Sequence, residues 1–546
     1  MPIKIIREYP NTFNLPRRIE GLASVAQNMW WVWNPEGQRL FQFIDPLLWD
    51  LLSHNPVAFL QKVERHRLNA AVGNPAYLEQ FDYVLARMNA YLNAQDTWFQ
   101  KTYPEHNDKS IAYFSFEFGL HESLPVYAGG LGILSGDHLK EASDLGLPLT
   151  AVGFVYDKGY FVQHLTEDGW QETRNALIDY NSLPLVSLLD ENRRPLTICV
   201  DLPGREVHAR VWELNVGRVH LYLLDSNVET NSPADRLLTE RLYSNDLEIR
   251  ISQEILLGMG GVRALRLLGY DPTVWHMNEG HSAFLAIERI LECVRQGIKF
   301  QDAWDKVKMG NVFTTHTPVP AGNDQFPLWL IDKYFGNIWP ELGLTRDHFI
   351  ELGRQAQPWG ENFVMPVLAL KLSERANAVS ELHGIVSRRM WNFLWPEKDE
   401  EDVPIKYVTN GVHTRTWLAR RMGVLFENHL GADWMEHIDE PGFWNAVLNI
   451  PDEDLWSVRR HLKNKLVHFA NERTRQQWQD GLLTASQAVA GGVFLEPYSL
   501  TIGFARRFAT YKRANLIFRD FDRFMSLVTD THRPVQVIFA GKAHPA

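Results

Sequence analysis

Eight consecutive residues, Arg506-Arg507-Phe508-Ala509-Thr510-Tyr511-Lys512-Arg513, hold four cations directly after the apolar run Leu500 to Ala505. Such a run reads as a strand, so the cations sit at a strand's carboxyl end. Four cations there can hold a doubly charged phosphate. The alternative is a solvated, basic helix start. Cations at a helix N-terminus oppose the helix dipole, however, which favours the reading with an anion.

A second candidate is Tyr127-Ala128-Gly129-Gly130-Leu131-Gly132, which leads into Leu134, His138, Leu139 and Ala142 on helical spacing. Gly146, with Pro148 beyond it, marks the end of that helix. The apolar run Ile111 to Phe118 upstream predicts a buried strand. Bare glycine backbone at a helix N-terminus offers free N–H groups to an anion, so Gly129 and Gly130 form a candidate phosphate cradle. The bland alternative is a tight turn whose glycines serve packing alone.

Three further polar clusters close predicted strands: His276-Met277-Asn278-Glu279-Gly280-His281, Thr314-Thr315-His316-Thr317-Pro318 and Asn410-Gly411-Val412-His413. Open α/β sheets bind ligands beyond the carboxyl ends of their strands, which puts these clusters in one cleft. Each taken alone also suits a turn or a helix cap. His276, Glu279 and His281 raise the question of zinc. Their i, i+3, i+5 spacing crosses a strand-to-helix junction instead of lying along one helix face, so no metal site is expected.

The elements that carry these clusters form an α/β pattern. Residues 1–106 read as a helical extension, with Ile19, Leu22, Ala23, Val25, Ala26 and Trp30 on one apolar face and a second helix over Leu78 to Leu92. From 107 to 430, strands are predicted at Leu149–Tyr156, His208–Trp212, Val219–Leu224, Thr273–Asn278, Val312–His316, Ala378–Ser380 and Ile405–Thr409. Helices are predicted at Ile251–Leu268 and Ala283–Val294. This alternation predicts a mainly parallel sheet. From 431 to 546 come a helix over Leu455–Trp478, the strand Leu500–Ala505, a helix over Ala514–Leu527, the strand Val535–Ala540 and a closing glycine segment, 541–546.

At 546 residues, two or three domains are expected. A net charge of −11 argues against nucleic acid or an acidic membrane face as a partner. The first residues show no signal-peptide pattern and no apolar run spans a bilayer. The two cysteines, Cys199 and Cys293, exclude a disulfide framework and suit a reducing cytoplasm. The 19 tryptophans, including Trp30, Trp31, Trp33 and Trp49, are a weak hint of aromatic stacking on sugars.

In this order, Ser115-Phe116-Glu117-Phe118, Ala128-Gly129-Gly130-Leu131-Gly132, Asn278-Glu279-Gly280-His281, His316-Thr317, Asn410-Gly411-Val412, Arg507 to Lys512 and Gly541-Lys542-Ala543 resemble the glycogen/α-glucan phosphorylase family. The leader containing Asn28 to Asn34 resembles its bacterial and archaeal branch. The resemblance implies a glycosyltransferase B-type fold of two Rossmann-like domains. It also implies retaining phosphorolysis of a terminal α-1,4-linked glucose, giving α-glucose 1-phosphate, with pyridoxal phosphate used through its phosphate group. The implied partners are α-1,4-glucan and inorganic phosphate, with room for a homo-oligomer.

By the same resemblance, Gly129 and Gly130 lie at the phosphate pocket, Arg507 binds substrate phosphate, and Arg506 and Lys512 contact the cofactor phosphate. His316 faces the reacting glucose, Asn410 holds a glucose hydroxyl, and Asn278, Glu279 and His281 lie near the glycan path. His316, Arg507 and Lys512 are thus the expected catalytic set. The family's aspartate–asparagine loop looks shortened around Asn245-Asp246, and position 506 is Arg where vertebrate members have Lys. The family's Schiff-base lysine has no match in these residues, so the chain alone is expected to be inactive, its second domain incomplete. The competing expectations are a glycogen or starch synthase, which shares the architecture, and a glucan-binding fragment without turnover.

Overall fold

The computed structural model describes residues 4–174, 177–357 and 360–543. The chain divides into two compact units. The first comprises Met1–Tyr160 and Leu177–Thr416, and the second Phe161–Ala176 and Trp417–Ala546.

The first unit is built on an eleven-stranded mixed sheet. In chain order its strands are β1 (Ile6–Glu8), β2 (Ile111–Phe114), β3 (Leu149–Phe154), β4 (Leu185–Leu189), β5 (Thr197–Leu202), β6 (Arg205–Val216), β7 (Val219–Asp225), β8 (Val274–Asn278), β9 (Asn311–Thr315), β10 (Arg375–Ala378) and β11 (Ile405–Tyr407). They lie in the order β1-β4-β6-β7-β3-β2-β8-β9-β10-β11, with β5 paired to β6. From β7 to β11 every pairing is parallel, while β1, β4, β5 and β6 pair antiparallel. The mainly parallel sheet expected from the sequence is therefore only the half beyond β7. The antiparallel half arises because the strands from β4 to β7 follow one another over short turns, which cannot make parallel crossovers. β1 is a strand inside the stretch expected to be helical, paired with β4 at Ile6↔Leu189.

The chain leaves β2 to build β3 on one side and returns later to place β8 on the other. The order of the sheet reverses between β2 and β8, and such a reversal opens a crevice at the strands' carboxyl ends. β2 and β3 are almost wholly buried, as parallel strands covered on both faces must be. The strand expected over Ile111–Phe118 ends at Phe114. There the chain leaves the sheet, and the Ser115 hydroxyl donates to the Glu117 carbonyl at 3.1 Å.

The helix Gly130–Leu145 follows that loop and ends on Gly146, whose φ of +72° is the left-handed cap glycine supplies. The helix expected over Ile251–Leu268 runs as Leu247–Ile255, a π-turn Leu256–Gly260 and Gly261–Leu267. Gly258 there permits close packing, since a Cβ on it would lie 2.7 Å from the Leu285 nitrogen. Trp30, Trp31, Trp33 and Trp49 are at most 3% exposed, so they pack the leader and are not laid out to stack on a sugar.

The second unit holds the long helix Asp452–Gln479, the helix Ala485–Ala490 and a parallel pair, Leu500–Ala505 with Val535–Ala540. A hairpin from the inserted segment, Val162–Leu165 with Gln171–Arg174, belongs to it. The helix expected over Ala514–Leu527 is a 3-10 turn, Ala514–Phe518, followed by the α-helix Phe521–Val528. The break falls at Asp520, whose side chain caps the second piece by accepting from the Arg523 N–H at 3.1 Å. Residues 544–546 of the closing glycine segment lie outside the described residues.

Candidate functional site

At the sheet reversal, Glu117 turns back over the glycine segment. Its buried carboxylate accepts the N–H of Ala128 at 2.7 Å and of Gly129 at 3.3 Å, and also takes the Tyr243 hydroxyl. A charge between two phenylalanines must be paired to be buried, and here the helix N-terminus supplies part of the pairing. The Gly129 N–H is thus already shared with a carboxylate. An added anion would meet the negative charge of Glu117 unless cations came with it.

The glycines divide into two groups. A Cβ on Gly129 or Gly130 meets nothing within 4 Å, so these two border open space. A Cβ on Gly132 would lie 2.5 Å from the Tyr127 Cβ, and one on Gly136 would lie 2.1 Å from the Gly119 carbonyl oxygen. The packing reading fits Gly132 and Gly136, while Gly129 and Gly130 leave open space at the start of a helix, where a phosphate group would fit.

β8 ends in a polar network. The Asn278 amide donates to Ser135 at 2.9 Å and Ser115 at 3.2 Å, so its oxygen must be the acceptor 2.6 Å from the His316 Nε2. His316 is then the neutral Nε2–H tautomer, assigned from the network. Burial, then nearby His383, lowers its pKa to about 4, so the ring stays neutral at pH 7.

Glu279 has φ +78° and ψ 167°, a region that is nearly glycine-only and costs about 1–3 kcal/mol. The strain persists because its carboxylate is used three times. It accepts the N–H of His316 at 2.8 Å, the Thr317 hydroxyl at 3.1 Å and the Gly280 N–H at 3.1 Å. Burial pushes its pKa up to about 6 against the opposing pull of these hydrogen bonds.

His281 is 1% exposed and stacked on Phe116 with ring centroids 4.4 Å apart. Its Nε2 accepts the Phe116 N–H at 3.1 Å, and burial, then Arg250, drives its pKa well below the usual range. The ring pins the loop after β2. His276 is half-buried, its Nε2 2.8 Å from the Thr314 hydroxyl. Asn410 lies on an exposed loop, its N–H bonded to the Val379 carbonyl at 3.0 Å. The same loop is tied to the glycine-led helix by the His413 N–H, which donates to Asp137 at 3.2 Å.

Four participants escaped sequence reasoning: Glu117, Tyr243, Arg250 and Asp324. Arg250 is buried with its guanidinium 4.5 Å above the Phe116 ring. It donates to Asp324 at 2.6 and 3.1 Å and to Glu254 at 3.0 Å. Burial, then the Asp324 charge, pushes the Glu254 carboxyl well above the usual carboxylate range. The loop from His316 to Asp324 is therefore held at its start by Glu279 and at its end by Arg250. The one available signal was Glu117, a charge inside an aromatic run.

In the second unit, Arg506 and Arg507 are exposed directly after the strand Leu500–Ala505, and Lys512 closes the following 3-10 turn. Gly541 permits this loop's approach to the neighbouring strand end. A Cβ there would stand 2.1 Å from the Arg506 carbonyl oxygen.

A family model described as "Protein of unknown function (DUF3417)" matches residues 15–124. The chain is 41% identical to the maltodextrin phosphorylase of Thermococcus litoralis over 97% of its own length and 62% of that protein's. It is 40% identical to the glycogen phosphorylase of Aquifex aeolicus, over 96% of this chain and 75% of the relative. It is 43% identical to the glycogen phosphorylase of Mycobacterium tuberculosis, over 100% of this chain and 64% of the relative.

Proposed function

The chain belongs to the glycogen/maltodextrin phosphorylase family, and on that basis we propose that its loops serve retaining phosphorolysis of α-1,4-glucan to α-glucose 1-phosphate. The fold that goes with this reading is the glycosyltransferase B type, and the cofactor is pyridoxal phosphate. The observation that carries it is the convergence of Glu117, Gly130, Asn278, Glu279 and His316 at the reversal of the sheet, beside a helix start left open by Gly129 and Gly130.

In this reading, the open helix N-terminus at Gly130 takes a phosphate oxygen, and Arg506, Arg507 and Lys512 are a cluster of cations within the second unit with the charge to hold a phosphate. A bound cofactor would supply its phosphate group as a general acid and base. His316, neutral and with its Nε2–H committed to Asn278, keeps its Nδ1 lone pair to accept from a sugar hydroxyl. Asn410 offers its amide to another hydroxyl, and Glu279 keeps His316 in place. Fixed dipoles around a developing oxocarbenium ion lower its energy without reorganisation during the reaction.

The test combines binding with turnover. Maltodextrin titrated into the chain should bind, and His316→Ala and Asn410→Ala should weaken it by about tenfold, the worth of one good hydrogen bond. In a phosphorolysis assay on a relative that carries the cofactor lysine, glucose 1-phosphate should appear only with added phosphate. Glucose transfer from a nucleoside-diphosphate glucose, without phosphate dependence, would refute the proposal in favour of a synthase.

A further inference from the structure

Between Tyr160 and Leu177 the chain leaves the first unit, contributes the segment Phe161–Ala176 to the second, and returns. The detour carries the hairpin Val162–Leu165 with Gln171–Arg174. Two four-residue strands are marginal on their own and need an apolar face to hold them. This hairpin has little of one: Phe161 at its root is buried, but Val162, Leu165 and Trp170 are exposed.

What the hairpin holds is backbone. Gln163 and Gln171 stand on one of its faces. The Gln171 amide takes both backbone groups of Ala543: its Oε1 accepts the Ala543 N–H at 2.8 Å, and its Nε2 donates to the Ala543 carbonyl at 3.2 Å. The Gln163 Nε2 donates to the Gln171 Oε1 at 2.9 Å and to the Gly541 carbonyl at 3.0 Å. Between them, the Lys542 ammonium donates to the Phe161 carbonyl and lies 4.8 Å over the Phe161 ring. Residues 541–543, directly after the strand Val535–Ala540, are thus fixed from the hairpin.

Those residues in turn support the cation loop. The Phe508 N–H donates to the Lys542 carbonyl at 2.9 Å, and Phe508 forms a parallel bridge with Ala543. Gly541 closes on the Arg506 carbonyl oxygen too tightly for any Cβ. Arg506 and Arg507 are exposed and enter no ion pair among the described residues. The position of both guanidiniums is therefore governed by the backbone that carries them.

We propose that Gln163 and Gln171 are positioning residues for a phosphate held by Arg506 and Arg507. The hairpin sets residues 541–543, and these set the cation loop. The phosphate half of this rests on the phosphorylase reading; the clamp half does not. One side-chain amide bonded to both backbone groups of a residue fixes it as a paired strand residue would. Fork-shaped contacts to phosphate depend on such placement, since a shift of about 1 Å spoils their geometry. Coupling of this kind is reciprocal, so phosphate on the loop should also protect the hairpin.

The test is titration of the full chain with inorganic phosphate, followed by phosphorus NMR, with amide hydrogen exchange on the same samples. Gln171→Leu should weaken phosphate binding by about tenfold, the scale of one lost charge-assisted contact. In the Arg506→Ala/Arg507→Ala background the same change should cost less than about twofold, because the groups it positions are gone. Exchange at the Phe508 amide should rise by about tenfold in Gln171→Leu and in Gln163→Leu, and added phosphate should slow exchange in the unaltered hairpin. Trp170→Ala, in the same hairpin but outside the clamp, should change neither readout. Gln163→Leu is the second variant should Gln171→Leu lower the unfolding temperature. Unchanged phosphate binding in Gln171→Leu, or an equal loss with and without the two arginines, would overturn the positioning role. If Arg506→Ala/Arg507→Ala itself leaves phosphate binding intact, the phosphate reading of the loop fails. Exchange at Phe508 then judges the clamp separately: a rise upholds it, and no change overturns it.

Discussion

Glu279→Gln tests whether one strained carboxylate holds the His316 loop. The carboxylate accepts three hydrogen bonds, at 2.8, 3.1 and 3.1 Å. Glutamine keeps its shape but turns one acceptor oxygen into a donor, so at least one N–H or hydroxyl then faces another donor. A buried donor left without an acceptor costs about 1–3 kcal/mol. Working the other way, burial has moved the Glu279 pKa from 4.5 to about 6. That shift disfavours the ionised form by about 2 kcal/mol at neutral pH, a penalty glutamine does not carry. Global stability should therefore change by no more than about 1 kcal/mol, while the loop loses its anchor. Amide hydrogen exchange over residues 314–318 should show protection lowered by about 10- to 100-fold, the equivalent of 1.4–2.7 kcal/mol. The sign of the pH dependence is fixed as well. Between pH 4.5 and about 6 the folded chain holds this proton more tightly than the unfolded chain. The contribution is thus full at low pH and is lost as pH rises through that window. Glu279→Gln should flatten that slope in unfolding measured through the first unit's slowest amides. Unchanged protection at His316 together with an unchanged slope would refute the clamp.

Gly136→Ala should destabilise the first unit by about 3 kcal/mol or more, since its Cβ would stand 2.1 Å from a carbonyl oxygen. Gly130→Ala should be neutral or stabilising by up to about 1 kcal/mol while weakening phosphate binding, and denaturation paired with phosphate titration separates the two. Tyr243→Phe leaves the Glu117 carboxylate short of one donor; a loss of about 1–2 kcal/mol and faster exchange at Ala128 and Gly129 are expected. Asp324→Asn removes the charge that Arg250 grips at two nitrogens, so about 3 kcal/mol should be lost and exchange over residues 316–324 should rise. Unaltered exchange there would mean that Arg250 is not the loop's far anchor.

How much of this was legible in the sequence follows from which signals are local. The strands Leu500–Ala505 and Val535–Ala540 are found at their expected bounds, because a short apolar run between polar flanks is a local signal. The helix from Gly130 to its cap at Gly146 was legible for the same reason. β1 was not. Three residues, Ile6 to Glu8, carry no periodicity, and only pairing with β4 almost two hundred residues later makes them a strand. The polar clusters at the ends of β8 and β9 could be found, but not their pairings. Whether His316 meets Asn278 or Glu279 depends on the register of two strands, which the residues do not spell out. Arg250 lies inside an apolar helix pattern, and only the return of Asp324 from a distant loop gives it a role.

The leader's tethers to the sheet also set an order of events during synthesis. β1 pairs with residues 187–189, Asn55 donates to the Ser182 carbonyl, and Asn28 exchanges hydrogen bonds with Gly217 in both directions. All of these partners leave the ribosome long after the leader does. At about 5–20 residues per second, residue 217 is made some 10–45 s after synthesis starts. Until then the tryptophans at 30, 31 and 33 are only partly covered, with Trp31 meeting His121 and Trp33 meeting Asp144 before the later strands are made. A chaperone that grips exposed aromatic segments would therefore find its main opportunity on nascent chains shorter than about 220 residues. Ribosome-bound chains stalled on either side of that length should differ sharply in how tightly such a chaperone holds them.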